Sequence, residues 1–256
     1  MLRSRITPCL LVQDGGLIKT TKFKNPKYIG DPINAVKIFN EKEADELIIL
    51  DIDASVNSIA PDYKMIENLA KECRMPLCYG GGIKNLEQAK KIVALGVEKV
   101  ALSSVIFDTP DLISEISQKI GCQSVVVILD VKKKILSNSY NVWTHNGKKN
   151  TNRDVIDVIK EVQDLGVGEI VLNFIDFDGT MKGYPIDVIK NLKSYITVPL
   201  SIMGGAKSLK DMGNAVSECG LIGVAAGSLF IFKGKYRAVL INYPARQQKE
   251  EFIYGY

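Results

Sequence analysis

Asp130 closes the apolar run Val125-Val-Val-Ile-Leu. A carboxylate at the end of a buried strand is placed to exchange protons with a bound substrate. Two glycine turns lie on either side of it in the chain. Pro76-Leu-Cys-Tyr-Gly-Gly-Gly-Ile-Lys-Asn-Leu returns 123 residues later as Pro199-Leu-Ser-Ile-Met-Gly-Gly-Ala-Lys-Ser-Leu. A serine-bearing segment, Val100-Ala-Leu-Ser-Ser, returns after 124 residues as Val224-Ala-Ala-Gly-Ser. Glycine lets backbone N–H groups approach an anion closely, and serine adds a hydroxyl donor. Gly81 and Gly82 with Ser103 and Ser104, and Gly204 and Gly205 with Gly227 and Ser228, are therefore candidate phosphate sites. Asp178-Gly179-Thr180 is a further candidate contributor. The competing reading is that these glycines only make tight strand-to-helix turns.

Asp130 has no counterpart. The half-repeat aligns it with Leu11, inside Cys9-Leu-Leu-Val12, and leucine cannot transfer a proton. One carboxylate thus stands where a pair would serve as general acid and base. His145 is the only histidine, in a polar stretch expected to be a surface loop, so a histidine-based metal site or a Ser/His triad is excluded. Of the five cysteines none forms a CxxC pair, which points to reduced structural thiols, with Cys9 and Cys78 in apolar runs. No metal and no cofactor is expected.

These residues need a frame that brings strand ends together. Short runs of Val, Ile and Leu begin near Ile6, Leu47, Leu77, Val100, Ser124, Ile170, Leu200 and Gly223. Helical periodicity fills Pro32–Lys42, Tyr63–Cys73, Leu86–Leu95, Leu112–Ile120, Arg153–Leu165, Pro185–Lys193 and Leu209–Glu218. Eight strands alternating with helices predict a closed (β/α)8 TIM barrel, whose active face is formed by the loops after the strands. Ile48-Ile-Leu-Asp51 parallels Ile170-Val-Leu-Asn173 at an offset of 122. Three such offsets predict one domain over residues 1–256, made of homologous half-barrels of about 1–120 and 121–256. The polar interval from Val131 to Asn152 predicts a hairpin, and the tail after Glu251 is expected to fray. Arg5, Glu46, Lys99 and Glu169 precede or open strands 1, 2, 4 and 6. They would form a compensated ring at the barrel bottom or, more blandly, lie as solvated charges.

At 256 residues the chain has the usual length of one such barrel. Its net charge of +4 is too mild to argue for nucleic acid and fits anionic small molecules. No apolar stretch is long enough for a membrane span, and the N-terminus lacks a signal-peptide pattern, so a cytoplasmic location is expected.

Several motifs resemble, over nearly the whole chain, the cyclase subunit family of imidazole glycerol phosphate synthase. They are Met1-Leu2, Arg5-Ile6, Cys9-Leu10, Val12-Gln-Asp-Gly15, Gly30-Asp-Pro32, Asp45-Glu-Leu47, Gly80-Gly-Gly-Ile83, Gly147-Lys-Lys-Asn150, Asp176-Phe-Asp-Gly-Thr180 and Gly204-Gly-Ala206. The resemblance implies a bis-phosphorylated substrate and a glutaminase docked on the N-terminal face, whose ammonia travels through the barrel. It makes Arg5, Glu46, Lys99 and Glu169 an ammonia gate and Lys19 a residue of a mobile active-site loop. Two family aspartates match Asp130 and the position of Leu11, while Asn173 and Met203 stand where small hydroxylated residues are usual. This pattern looks like a divergent branch whose barrel passes ammonia to a separate amidating enzyme that modifies surface-glycan sugars. Two alternatives stand beside it: an active histidine-pathway cyclase, and a non-catalytic phosphosugar-binding scaffold.

Overall fold

The computed structural model describes residues 3–135 and 137–254; Met1 and Leu2, which carry part of the resemblance, lie outside them. Eight parallel strands form the frame: β1 (Ile6–Gln13), β2 (Leu47–Asp51), β3 (Leu77–Gly80), β4 (Lys99–Leu102), β5 (Val125–Lys133), β6 (Glu169–Phe174), β7 (Leu200–Met203) and β8 (Gly223–Ala226). Each pairs in parallel with the next, and β8 pairs back with β1, so the sheet closes on itself. The expected (β/α)8 barrel is the fold observed. Closure leaves the eight barrel strands without a free edge, which is why they can be almost wholly apolar.

Among the described residues, seven helices of eight residues or more lie outside the barrel: α1 (Pro32–Glu41), α2 (Tyr63–Glu72), α3 (Leu86–Ala94), α4 (Leu112–Ile120), α5 (Val155–Asp164), α6 (Ile186–Lys193) and α7 (Leu209–Cys219). Most begin at a residue type that satisfies free N–H groups. Asp31, Asp62, Asn85, Asp154 and Ser208 each accept from a backbone N–H of the first turn. The main core lies between strands and helices. A second cluster fills the bore: Cys9, Ile48, Cys78, Ala101, Val126, Ile128, Val171, Met203 and Ala225, with Leu11 and Leu50 packed against it. The period of two along each strand separates these inward residues from the outward layer.

Some additions to this frame were expected and others were not. The polar interval after β5 does hold a hairpin, Tyr140–Thr144 with Lys149–Asp154, and β5 itself runs on to pair with it. After β1 the chain forms an unanticipated antiparallel hairpin, Gly16–Thr21 with Lys24–Gly30. The tail does not fray through Tyr254. Residues Glu250–Tyr254 form a π-helical turn that buries Ile253, and the Phe252 carbonyl lies where a side chain on Gly213 of α7 would have to go. Apolar burial outweighs the terminal freedom assumed from sequence. Among the described residues, no helix is long and apolar enough to cross a membrane.

Candidate functional site

Two cavities open at the C-terminal mouth. The larger, of about 310 Å³, is lined by Leu11, Lys19, Gly179, Gly204, Gly205, Gly227 and Ser228 among others. The smaller, of about 90 Å³, is lined by Gly81, Gly82, Ser103 and Ser104. Asp130 lines both and sits at their junction. The turn residues named from sequence thus collect into two clusters flanking one carboxylate. The glycines are also required by the backbone: Gly81 and Gly204 have φ of +126° and +94°, and a side chain at either would collide with a neighbouring carbonyl.

Asp130 accepts a 2.7 Å hydrogen bond from Nδ2 of Asn173, its register neighbour on β6. Burial pushes its pKa up to about 7, against the pull of the Asn173 amide and with a smaller push from Asp178. The group is therefore poised near neutrality, as a general acid or base should be. Oδ1 of Asn173 is buried and has no partner among the described residues. Leu11 lines the same cavity beside its register neighbour Leu50, so no second carboxylate faces Asp130 from β1 among the described residues.

Lys19 is not in an open loop. It lies in the hairpin after β1, buried, with its ammonium on the Cys9 carbonyl and beside Gly227. Burial lowers its pKa, with Cys9 and Asp178 opposing. Asp178 points at the same hairpin and accepts from Thr20 Oγ1 at 2.9 Å and from the Phe23 N–H at 3.4 Å. A carboxylate held there repels an anion, so only the Gly179 backbone is left in this turn to meet a phosphate. His145 is not a bare surface residue either. Half-buried in its hairpin turn, it lines the smaller cavity and donates its N–H to Ser104 Oγ at 3.2 Å.

At the opposite end the four charged residues close into a ring. Arg5 reaches Glu169 at 2.6 Å and Glu46 at 3.3 Å, and Lys99 reaches Glu46 at 2.6 Å and Glu169 at 2.8 Å. Ser201 Oγ adds a 2.6 Å bond to Glu169. Burial opposes both charged forms, but the partners outweigh it. Lys99 is held above the ordinary lysine value by Glu169 and Glu46, and Glu169 below the ordinary glutamate value by Lys99 and Arg5. The bland reading of solvated charges fails because barrel closure brings four distant strand starts onto one axis.

Sequence reasoning missed the Asn173–Asp130 bond, His145 at Ser104, and Arg237. The last of these donates to Ser228 Oγ at 3.3 Å and to the Gly179 carbonyl at 3.2 Å. An arginine at a left-handed φ of +50° was the local signal available only from structure.

The model of the histidine biosynthesis protein family matches residues 5–237. A Vibrio vulnificus protein, provisionally named an imidazole glycerol phosphate synthase subunit, is 56% identical over 99% of this chain and 97% of its own length. A Pseudomonas aeruginosa protein with a similarly provisional name is 49% identical over 95% of this chain and 97% of its own. An imidazole glycerol phosphate synthase subunit of Exiguobacterium sibiricum is 38% identical over 90% and 91%. The chain therefore belongs to the histidine biosynthesis protein family, among the barrel subunits of imidazole glycerol phosphate synthase.

Proposed function

We propose that this barrel receives ammonia from a glutaminase bound at its N-terminal face and conducts it to the C-terminal mouth. A separate amidating enzyme then uses it to modify a surface-glycan sugar. The observation that carries this reading is the pairing of a retained entrance with an incomplete reaction centre. A closed charge ring guards an apolar bore, while Asp130 faces Leu11 where family cyclisation needs a second acid. Ammonia is small and neutral, so a bore of Cys, Ile, Val and Ala side chains admits it while disfavouring ions. The unpartnered Asn173 Oδ1 at the top of the bore is an acceptor for an N–H arriving from below. Losing one general acid or base typically lowers turnover by about 10²–10⁴.

The test compares ammonia-dependent cyclase turnover of the native protein, Leu11→Asp and Asp130→Asn. Little or no native turnover is expected, with partial recovery in Leu11→Asp once its folding has been verified. Recovery stays partial because Asn173 and Met203 also shape the pocket. Robust native turnover abolished by Asp130→Asn would establish a one-aspartate cyclase and overturn the conduit reading.

A further inference from the structure

The mild net charge of +4 is unevenly distributed. Three hairpins rise from the C-terminal ends of β1, β5 and β8: Gly16–Thr21 with Lys24–Gly30, Tyr140–Thr144 with Lys149–Asp154, and Phe232–Lys233 with Ala238–Val239. Residues 15–30, 131–153 and 232–239 span them, short only of Asp154, which caps α5. These segments hold four, six and three of the chain's 33 Lys and Arg and none of its 29 Asp and Glu, so the rest of the chain is net negative. Nine of these cations are exposed, and among the described residues Arg153 alone of the nine meets a carboxylate, Glu161.

The three hairpins form one continuous rim. Lys27 donates to the Arg237 carbonyl at 3.4 Å, joining the hairpin after β8 to the one after β1. The turn of the β5 hairpin reaches the β1 hairpin from the other side of the barrel, where a side chain on Gly147 would come within 3.1 Å of the Phe23 ring. Asn146 in the same turn donates to the Ile52 carbonyl after β2 at 2.9 Å. Of the nine exposed cations, Lys148 alone lines either mouth cavity, so the others serve no ligand held there. Tyr28 and Tyr236 stand among them, 68% and 89% exposed. Lysines on a free hairpin edge discourage edge pairing, but that accounts for neither the exposed tyrosines nor the lack of carboxylates in all three segments. Exposed tyrosines set among charges of one sign suit a protein surface of the opposite sign.

We propose that the amidating enzyme docks on this rim through a carboxylate-rich face, with Tyr28 and Tyr236 as the apolar anchors of the contact. The proposal rests on the conduit reading and says where the acceptor sits. Ammonia released into water is protonated and diluted, so its transfer to a separate enzyme needs a covered mouth. The hairpins carry the charge that draws such a partner to the end of the bore away from the glutaminase.

The test titrates the full chain, in complex with its glutaminase, against the sugar-amidating enzyme of the same cells at low and high salt. Native affinity is expected to fall as salt rises. One reversal per hairpin, Lys24→Glu with Lys133→Glu and Lys235→Glu, should weaken binding at least about tenfold, and Tyr236→Ser about tenfold. The same number of reversals at exposed positions on α2, α5 and α7, Lys64→Glu with Lys160→Glu and Lys210→Glu, should leave it unchanged. Melting temperature verifies the fold of each variant. The hairpin variant should also lose amidation driven by glutamine while keeping amidation driven by added ammonium chloride. Equal weakening by the two sets of reversals, none by the hairpin set, or no binding by the native complex would overturn the proposal. So would tighter binding to phosphatidylglycerol vesicles or to RNA than to the enzyme, or a dimer of this chain that the hairpin reversals disperse. The two readings fail separately: binding without glutamine-driven amidation sinks the conduit, and glutamine-driven amidation without binding sinks the docking surface.

Discussion

At the scale of single residues, Asp130 is where chemistry and stability meet. Its folded pKa of about 7 lies above the ordinary 3.8, so the native state binds the extra proton between those values. Stability from this group is then full in acid and falls as pH rises through 7. Asp130→Asn is therefore expected to stabilise the barrel by about 1–3 kcal/mol at pH 8 and to change little at pH 4. Urea unfolding at both values checks it; an effect independent of pH would mean the carboxyl is not held protonated by burial. Glu169 runs the other way. Its pKa is depressed, so its stabilisation is present above the ordinary glutamate value and is lost as pH falls through the folded one.

At the scale of elements, the hairpin after β1 is a cover whose hold is local and identifiable. Thr20 and Phe23 bond Asp178, the Lys22 N–H bonds the Asp178 carbonyl, and Gly179 fits under the Thr20 carbonyl only because it lacks a side chain. Gly179 also has a φ of +66°. Gly179→Ala is thus expected to lift the hairpin, costing about 1–3 kcal/mol and exposing Lys19. Amide exchange at Thr20–Lys22 reads this directly, and protection equal to the native protein would refute it. This element was illegible in the sequence. Its second strand, Lys24–Gly30, is mostly exposed and polar, so no apolar alternation marks it. The eight barrel strands were legible because each is a buried apolar run bounded by turn residues, and the glycine turns because backbone geometry leaves no alternative there.

At the scale of the whole molecule, the charge ring and the mouth lie at opposite ends of one bore. A glutaminase partner is expected to form a one-to-one complex at the ring and to hydrolyse glutamine faster when bound. Lys99→Met leaves Arg5 as the one cation on Glu46 and Glu169 in the ring, which costs about 3 kcal/mol of barrel stability and should reduce that stimulation. Light scattering of the complex, chemical unfolding and a glutaminase assay test this together. Undiminished stimulation in the folded variant would separate the ring from the coupling.

The amino-acid sequence by itself determined the alternation of strand and helix, the internal repeat, the positions of the turns and the lone acid that closes the apolar run of β5. Each is written in local pattern: apolar runs, glycines and one carboxylate without a counterpart. Tertiary structure alone decided which charges meet and how the two halves differ. Arg5 reaches Glu169 across 164 residues, and Asn173 reaches Asp130 across 43, through barrel closure and strand register rather than any motif. The glycine turns repeat in sequence, yet one cavity has cations and the other none among its described lining. That asymmetry comes from Lys19 and Lys148 on two added hairpins, whose docking depends on contacts between segments that no single stretch of sequence contains.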